Sequence, residues 1–165
     1  MNRVDNGMMT AIRILTVAFA SLGAANACVC DEPTVLVAKQ RSQAVFRGTI
    51  TVLRPTNKDY KAERVFGDTD KIAVFRVSRV WKGKVRQTFE MPAVVEFGSC
   101  WGFAPQFLKV GAELIVYAQR IPRMDYQTNI CSRTRLIEYA GKDLEELGPG
   151  EEPKPAARLR NPNSK

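Results

Sequence analysis

Residues 71–81, Lys-Ile-Ala-Val-Phe-Arg-Val-Ser-Arg-Val-Trp, place Ile72, Val74, Phe75, Val77 and Val80 within eleven positions. Such a density of β-branched and aromatic side chains, with no Gly or Pro inside it, reads as a strand. Lys82-Gly83-Lys84 supplies a turn, and a further strand is expected from Val85 to Phe97, with Pro92 marking an edge or an irregularity. Upstream, Ala44–Leu53 carries Val45, Phe46, Ile50, Val52 and Leu53 around Gly48, the pattern of a strand bulged or bent at the glycine. Downstream, a fourth strand, Glu113–Arg120, starts after the turn at Gly111, and Ser132–Tyr139 gives a short fifth. Arg54–Asp70 is polar, with Pro55, Asn57 and Gly67, and reads as a long exposed loop. Helical pattern is confined to Pro33–Gln43, with Pro33 in the first turn, and to Lys142–Leu147. The expected class is all-β with short flanking helices. Short strands separated by turns favour a closed or nearly closed five-stranded barrel, since closure removes exposed edges, and a β-sandwich is the alternative.

With 165 residues, 45 % hydrophobic and 25 % charged, the chain has the composition of one globular domain with tails. His is absent. That excludes Ser-His-Asp and Cys-His catalysis, His-ligated zinc and the usual neutral-pH general base. The net charge of +8 suits nucleic acid, an anionic envelope surface or an acidic protein, and does not choose among them.

At the amino terminus, Arg13 precedes the apolar run Ile14–Ala20, and Ala25-Asn26-Ala27 has the A-x-A form of a signal-peptidase site. Residues 1–27 are therefore expected to be a secretory signal peptide cut after Ala27. The apolar run falls short of the roughly 20 residues that span a bilayer. The mature domain is expected over 28–147, and the Pro-rich segment 148–165 as a disordered tail.

Cleavage would leave Cys28 first, followed by Cys30, Cys100 and Cys131, the only other cysteines. Four cysteines in an exported chain point to two disulfides, and spacing alone leaves three connectivities open. Zinc ligation is disfavoured because the second pair is 31 residues apart, with no C-x2-C knuckle. Lipidation of Cys28 is disfavoured because Ala25 stands where a lipobox carries Leu.

Cys28-Val29-Cys30 directly after a cleavage site, then Pro33 and Ala44-Val45-Phe46-Arg47-Gly48, form the first part of a pattern completed by Val80-Trp81-Lys82-Gly83, Gly98-Ser99-Cys100 and Asn129-Ile130-Cys131. In these segments and their distances the chain resembles the tissue inhibitors of metalloproteinases and the wider netrin-like modules, most closely the short single-domain bacterial type. The resemblance covers nearly all of 28–147. It implies a five-stranded OB-type barrel with Cys28 bonded to Cys100 and Cys30 to Cys131. Those bridges would close loops of 72 and 101 residue steps, each stabilising by roughly 4 kcal/mol in the chain-entropy view.

The resemblance also implies a function. The free amine and carbonyl of Cys28 would chelate the catalytic zinc of a target metalloendopeptidase, filling the position that such an enzyme leaves open for water. Val29 would enter the adjacent specificity pocket, with Cys30, Asp31, Gly98 and Ser99 completing the contact ridge. Asp31 departs from the family, which usually carries an uncharged residue there. The chain itself would need no cofactor, would not be an enzyme and would act as a monomer. A non-inhibitory netrin-like binding or adhesion module at the cell envelope is the alternative, because a fold does not fix a function. A nucleic-acid reading is disfavoured by export and by the scatter of the 19 basic and 14 acidic side chains over 28–147. Catalysis is disfavoured because no carboxylate motif emerges; Glu145-Glu146 reads as a solvated helical turn.

Overall fold

The computed structural model describes residues 29–55, 71–93, 100–121 and 126–155. The expected signal peptide, residues 1–27, lies outside them, as does most of the expected loop over Arg54–Asp70.

Helix α1 (Val35–Arg41) begins where the Thr34 hydroxyl accepts the Val37 amide, with Pro33 just ahead of the cap. It stops at Ser42, whose hydroxyl donates to the Ala38 carbonyl. The Lys82 ammonium binds the carbonyls of Lys39 and Gln40, satisfying the end of the helix with a cation where its dipole is negative.

Strands β1 (Ala44–Pro55), β2 (Lys71–Lys82), β3 (Thr88–Pro92), β4 (Glu113–Arg120), β5 (Tyr126–Gln127) and β6 (Arg135–Leu136) form one antiparallel sheet. The order is β3-β2-β1-β4-β5, with β6 also on β4. Central strand β1 has consecutive buried residues Ala44, Val45 and Phe46 because both its faces are covered. Its register shifts between Arg47 and Gly48, so the bend expected at the glycine is present. A Cβ on Gly48 would lie 3.2 Å from the Arg76 carbonyl oxygen, so the glycine is what lets β1 and β2 approach so closely there.

Curvature gives the sheet two apolar faces. Inside, Phe46 meets Phe75 edge-on at 5.5 Å and Phe89 at 5.0 Å, among Ile50, Met91, Leu114 and Val116. Outside, Val45, Ile115 and Tyr117 are covered by Val35 and Ala38 of α1 and by Leu147 of α2 (Gly141–Leu147).

The structure corrects the expected closed barrel. The edges β3 and β5 approach through Phe89 and Tyr126, 5.2 Å between ring centres, but no ladder joins them among the described residues. The reason is length: β5 is two residues long, and β4 divides its outer edge between β5 at Gln119–Arg120 and β6 at Leu114–Ile115. Of the expected strand over 85–97, Thr88–Pro92 forms β3, residues 85–87 precede it, and 94–97 lie outside the described residues. Of the expected fifth strand, 132–139, only Arg135–Leu136 pairs, and Ile137–Tyr139 turns as a 3-10 helix.

Residues 148–155, expected as the start of a disordered tail, instead run along the end of β2. Val80 and Glu151 exchange both backbone hydrogen bonds, the Gln87 amide donates to the Lys154 carbonyl, and the Trp81 indole donates to the Gly148 carbonyl. Gly148 and Gly150 have φ of 74° and 65°, which lets the chain turn off α2 and lie flat on Trp81. Among the described residues no helix is long and apolar enough to cross a membrane.

Candidate functional site: the amino-terminal ridge

The described chain begins at Val29, whose side chain is 95 % exposed. Cys30, also exposed, is disulfide-bonded to Cys131, 101 residues later, with 5.2 Å between the Cα atoms. The expected Cys30–Cys131 bridge is thus present. Asp31 is exposed beside it.

The loop that receives the bridge is heavily cross-linked. Asn129 accepts the Cys131 amide through its side chain and the Ser132 amide and hydroxyl through its carbonyl. The hydroxyls of Thr128, Ser132 and Thr134 lie 2.7–3.1 Å apart, and Thr134 accepts the Tyr117 amide from β4. On the other side, the Ile130 amide donates to the Cys100 carbonyl and the Gly102 amide to the Thr128 carbonyl, a short ladder next to the Trp101–Asn129 bridge. Cys100 is itself disulfide-bonded. Segments 100–102 and 128–131 are therefore neighbours, and Cys100 and Cys131 sit at the same end of the sheet as the ridge. Cys28, Gly98 and Ser99 lie outside the described residues.

Beneath the ridge is an ion network. Arg133, with only 8 % of its side chain exposed, donates from Nε and Nη2 to the two carboxylate oxygens of Asp143, at 3.0 and 2.8 Å. The Tyr117 hydroxyl donates to the same carboxylate at 2.7 Å. From the far side of the guanidinium, Nη1 donates to the Pro33 carbonyl at 2.9 Å and lies 3.2 Å from Glu32, which also pairs with Arg135. The Arg133 backbone has φ 71°, a left-handed conformation uncommon for a residue with a side chain.

Burial by itself would raise the Asp143 pKa. The hydrogen bonds from Arg133 and Tyr117, with the charges of Arg133 and Arg135, outweigh it and hold the carboxyl below its ordinary value. Arg133 is pushed up, chiefly by its hydrogen bonds to Asp143, and Tyr117 is pushed far up by burial and by donating to that carboxylate. All three groups are locked in one protonation state at neutral pH, which suits a scaffold.

Beside the ridge an open groove of about 630 Å³ is lined by Cys30, Glu32, Pro105, Phe107, Ile130 and Arg135, among others. Among the described residues no three His, Cys, Asp or Glu side chains come together as metal ligands. What the ridge presents is an exposed apolar side chain on a strap anchored by a disulfide and by Arg133.

Of the residues that the resemblance assigns to the ridge, Val29, Cys30, Asp31, Cys100 and Cys131 are described at this end. Arg133, Asp143, Tyr117 and Glu32 carried no signal in the sequence. No local pattern links Glu32 to Arg133, 101 residues later, and Asp143 reads as an ordinary polar residue of a helical turn. The chain matches no protein-family model and no curated protein.

Proposed function

We propose that the chain is a secreted inhibitor of zinc metalloendopeptidases, which it engages through a braced amino terminus. After cleavage at Ala27, the free amine and carbonyl of Cys28 would bind the zinc of the target, and Val29 would fill the pocket beside it. An α-amino group, with a pKa of about 7.7–8.0, loses its proton at little cost near neutral pH and becomes a ligand. The second bridge of this reading joins Cys28 to Cys100.

The observation that carries the proposal is Val29, an apolar residue 95 % exposed, next to a cysteine bonded 101 residues downstream. A side chain that forgoes burial at the tip of a braced strap supports a role in docking. Bracing limits the ordering entropy that docking would otherwise cost. Cys100 being disulfide-bonded agrees with the second bridge.

The test compares three oxidised proteins: one starting at Cys28, one with an extra Ala before Cys28, and Val29→Gly. The native form should inhibit at least one zinc endopeptidase. The extended form should lose nearly all potency and keep its fold, because the amine moves by over 3 Å and a Zn–N bond of about 2.0–2.1 Å cannot absorb that. Val29→Gly should weaken binding by about 1.5–3 kcal/mol. Equal potency of native and extended forms would refute chelation. Inactivity of all three across a broad panel would favour the non-inhibitory envelope-binding module.

A further inference from the structure

We propose that Arg133 is the positioning residue of the amino-terminal ridge, transmitting the docking of α2 to the direction in which Val29–Asp31 leave the sheet. The Cys30–Cys131 bridge fixes where the strap is attached, but a single tether leaves its direction free. A second anchor three residues on is supplied by Arg133, through Nη1 to the Pro33 carbonyl and to Glu32. A guanidinium is a rigid planar fork, so the two bonds that Nε and Nη2 make to Asp143 dictate where Nη1 points. Asp143 lies in the first turn of α2 and also takes the Tyr117 hydroxyl from β4, so helix and sheet together aim the fork.

Two further features agree. The left-handed backbone at Arg133 persists only because its surroundings over-determine it, the kind of strain that gathers at functional sites. Arg135 holds the same Glu32 carboxylate from the neighbouring strand β6, so the strap is gripped at Glu32 by two arginines. A lysine at 133 would keep the charge but could not span Asp143 and Pro33 with fixed geometry. The functional weight of the ridge rests on the inhibitory reading, whereas the positioning does not.

The experiment measures backbone ¹⁵N order parameters in the oxidised mature domain and in two variants, Arg133→Lys and the apolar replacement Tyr117→Phe/Arg133→Met/Asp143→Leu. The second leaves no buried charge or hydroxyl unpaired, so it folds even if the first does not. Expected is a fall at Asp31 and Glu32 from about 0.85 towards 0.6 or below, with β1 and β4 unchanged and the Cys30–Cys131 bridge intact. Unchanged order in the strap of a folded variant would overturn the proposal. Where the wild type inhibits a zinc endopeptidase, the same variants should lose at least about tenfold in affinity. A loosened strap with undiminished potency would sink the docking role of the ridge and leave the positioning standing. A wild type that inhibits nothing would do the same.

Discussion

Asp143→Asn isolates the charge at the centre of the fold's ion network while leaving its shape almost unchanged. The asparagine oxygen can still accept from Tyr117, but Arg133, only 8 % exposed, loses one acceptor and the charge of its buried partner. Removing one partner of a buried ion pair costs about 3–5 kcal/mol. Glu32 remains 3.2 Å from Nη1 and is half exposed, so the lower end applies, about 3 kcal/mol. For a domain of this size that is a fall of about 12 °C in Tm, at about 4 °C per kcal/mol. Urea denaturation of the oxidised mature domain at a series of pH values provides the assay. Because the folded-state pKa of Asp143 is depressed, its contribution is complete above the unfolded carboxyl value of about 3.9 and is lost as pH falls through the lower folded value. The gap between wild type and Asp143→Asn should be full at pH 7 and narrow below about pH 4. Equal midpoints at pH 7, or a gap that widens in acid, would refute the network as a source of stability.

Tyr117→Phe should remove an alkaline transition: a raised folded-state pKa gives stability that is full below the unfolded value of about 10 and declines above it, so only the wild type should weaken there in a pH series of melting curves. Gly83→Ala should destabilise by roughly 2–4 kcal/mol in urea titration, because φ is 89° and the new Cβ would meet the Gln43 carbonyl oxygen at 2.5 Å; a change below about 1 kcal/mol would contradict this. Replacing Cys30 and Cys131 together by Ser opens a closed loop of 101 residue steps and should cost about 4–5 kcal/mol, read as a lower Tm with the fold otherwise retained. Phe89→Ala should cost about 2–3 kcal/mol in urea titration, below the full-burial value because the ring is only partly buried, since it bridges Phe46 and Tyr126 and draws β3 towards β5.

Several elements rest on near-neighbour patterning and are legible along the chain. Because strand propensity and period act over a few residues, Ile72, Phe75, Val77 and Val80 define β2, Leu114–Tyr117 define β4, and the Gly-free run after Pro33 marks α1, although Pro33 stands ahead of the Thr34 cap and not in the first turn. The Cys30–Cys131 bridge was reached through resemblance to a family and is found. Tertiary structure alone decided the rest. Whether the sheet closes depends on how β4 shares its edge between two two-residue strands, and Tyr126–Gln127 carries no strand pattern of its own. Residues 148–155 are ordered because Val80, Val85 and Gln87 offer them backbone hydrogen-bond partners at the edge of β2, a fact that no composition of the Pro-rich tail conveys. Arg133 meets Glu32, Pro33, Asp143 and Tyr117 only after α1, α2 and β4 have packed. A charge network gathered from three distant parts of the chain has no sequence period, and its members become partners only through the burial that makes pairing obligatory.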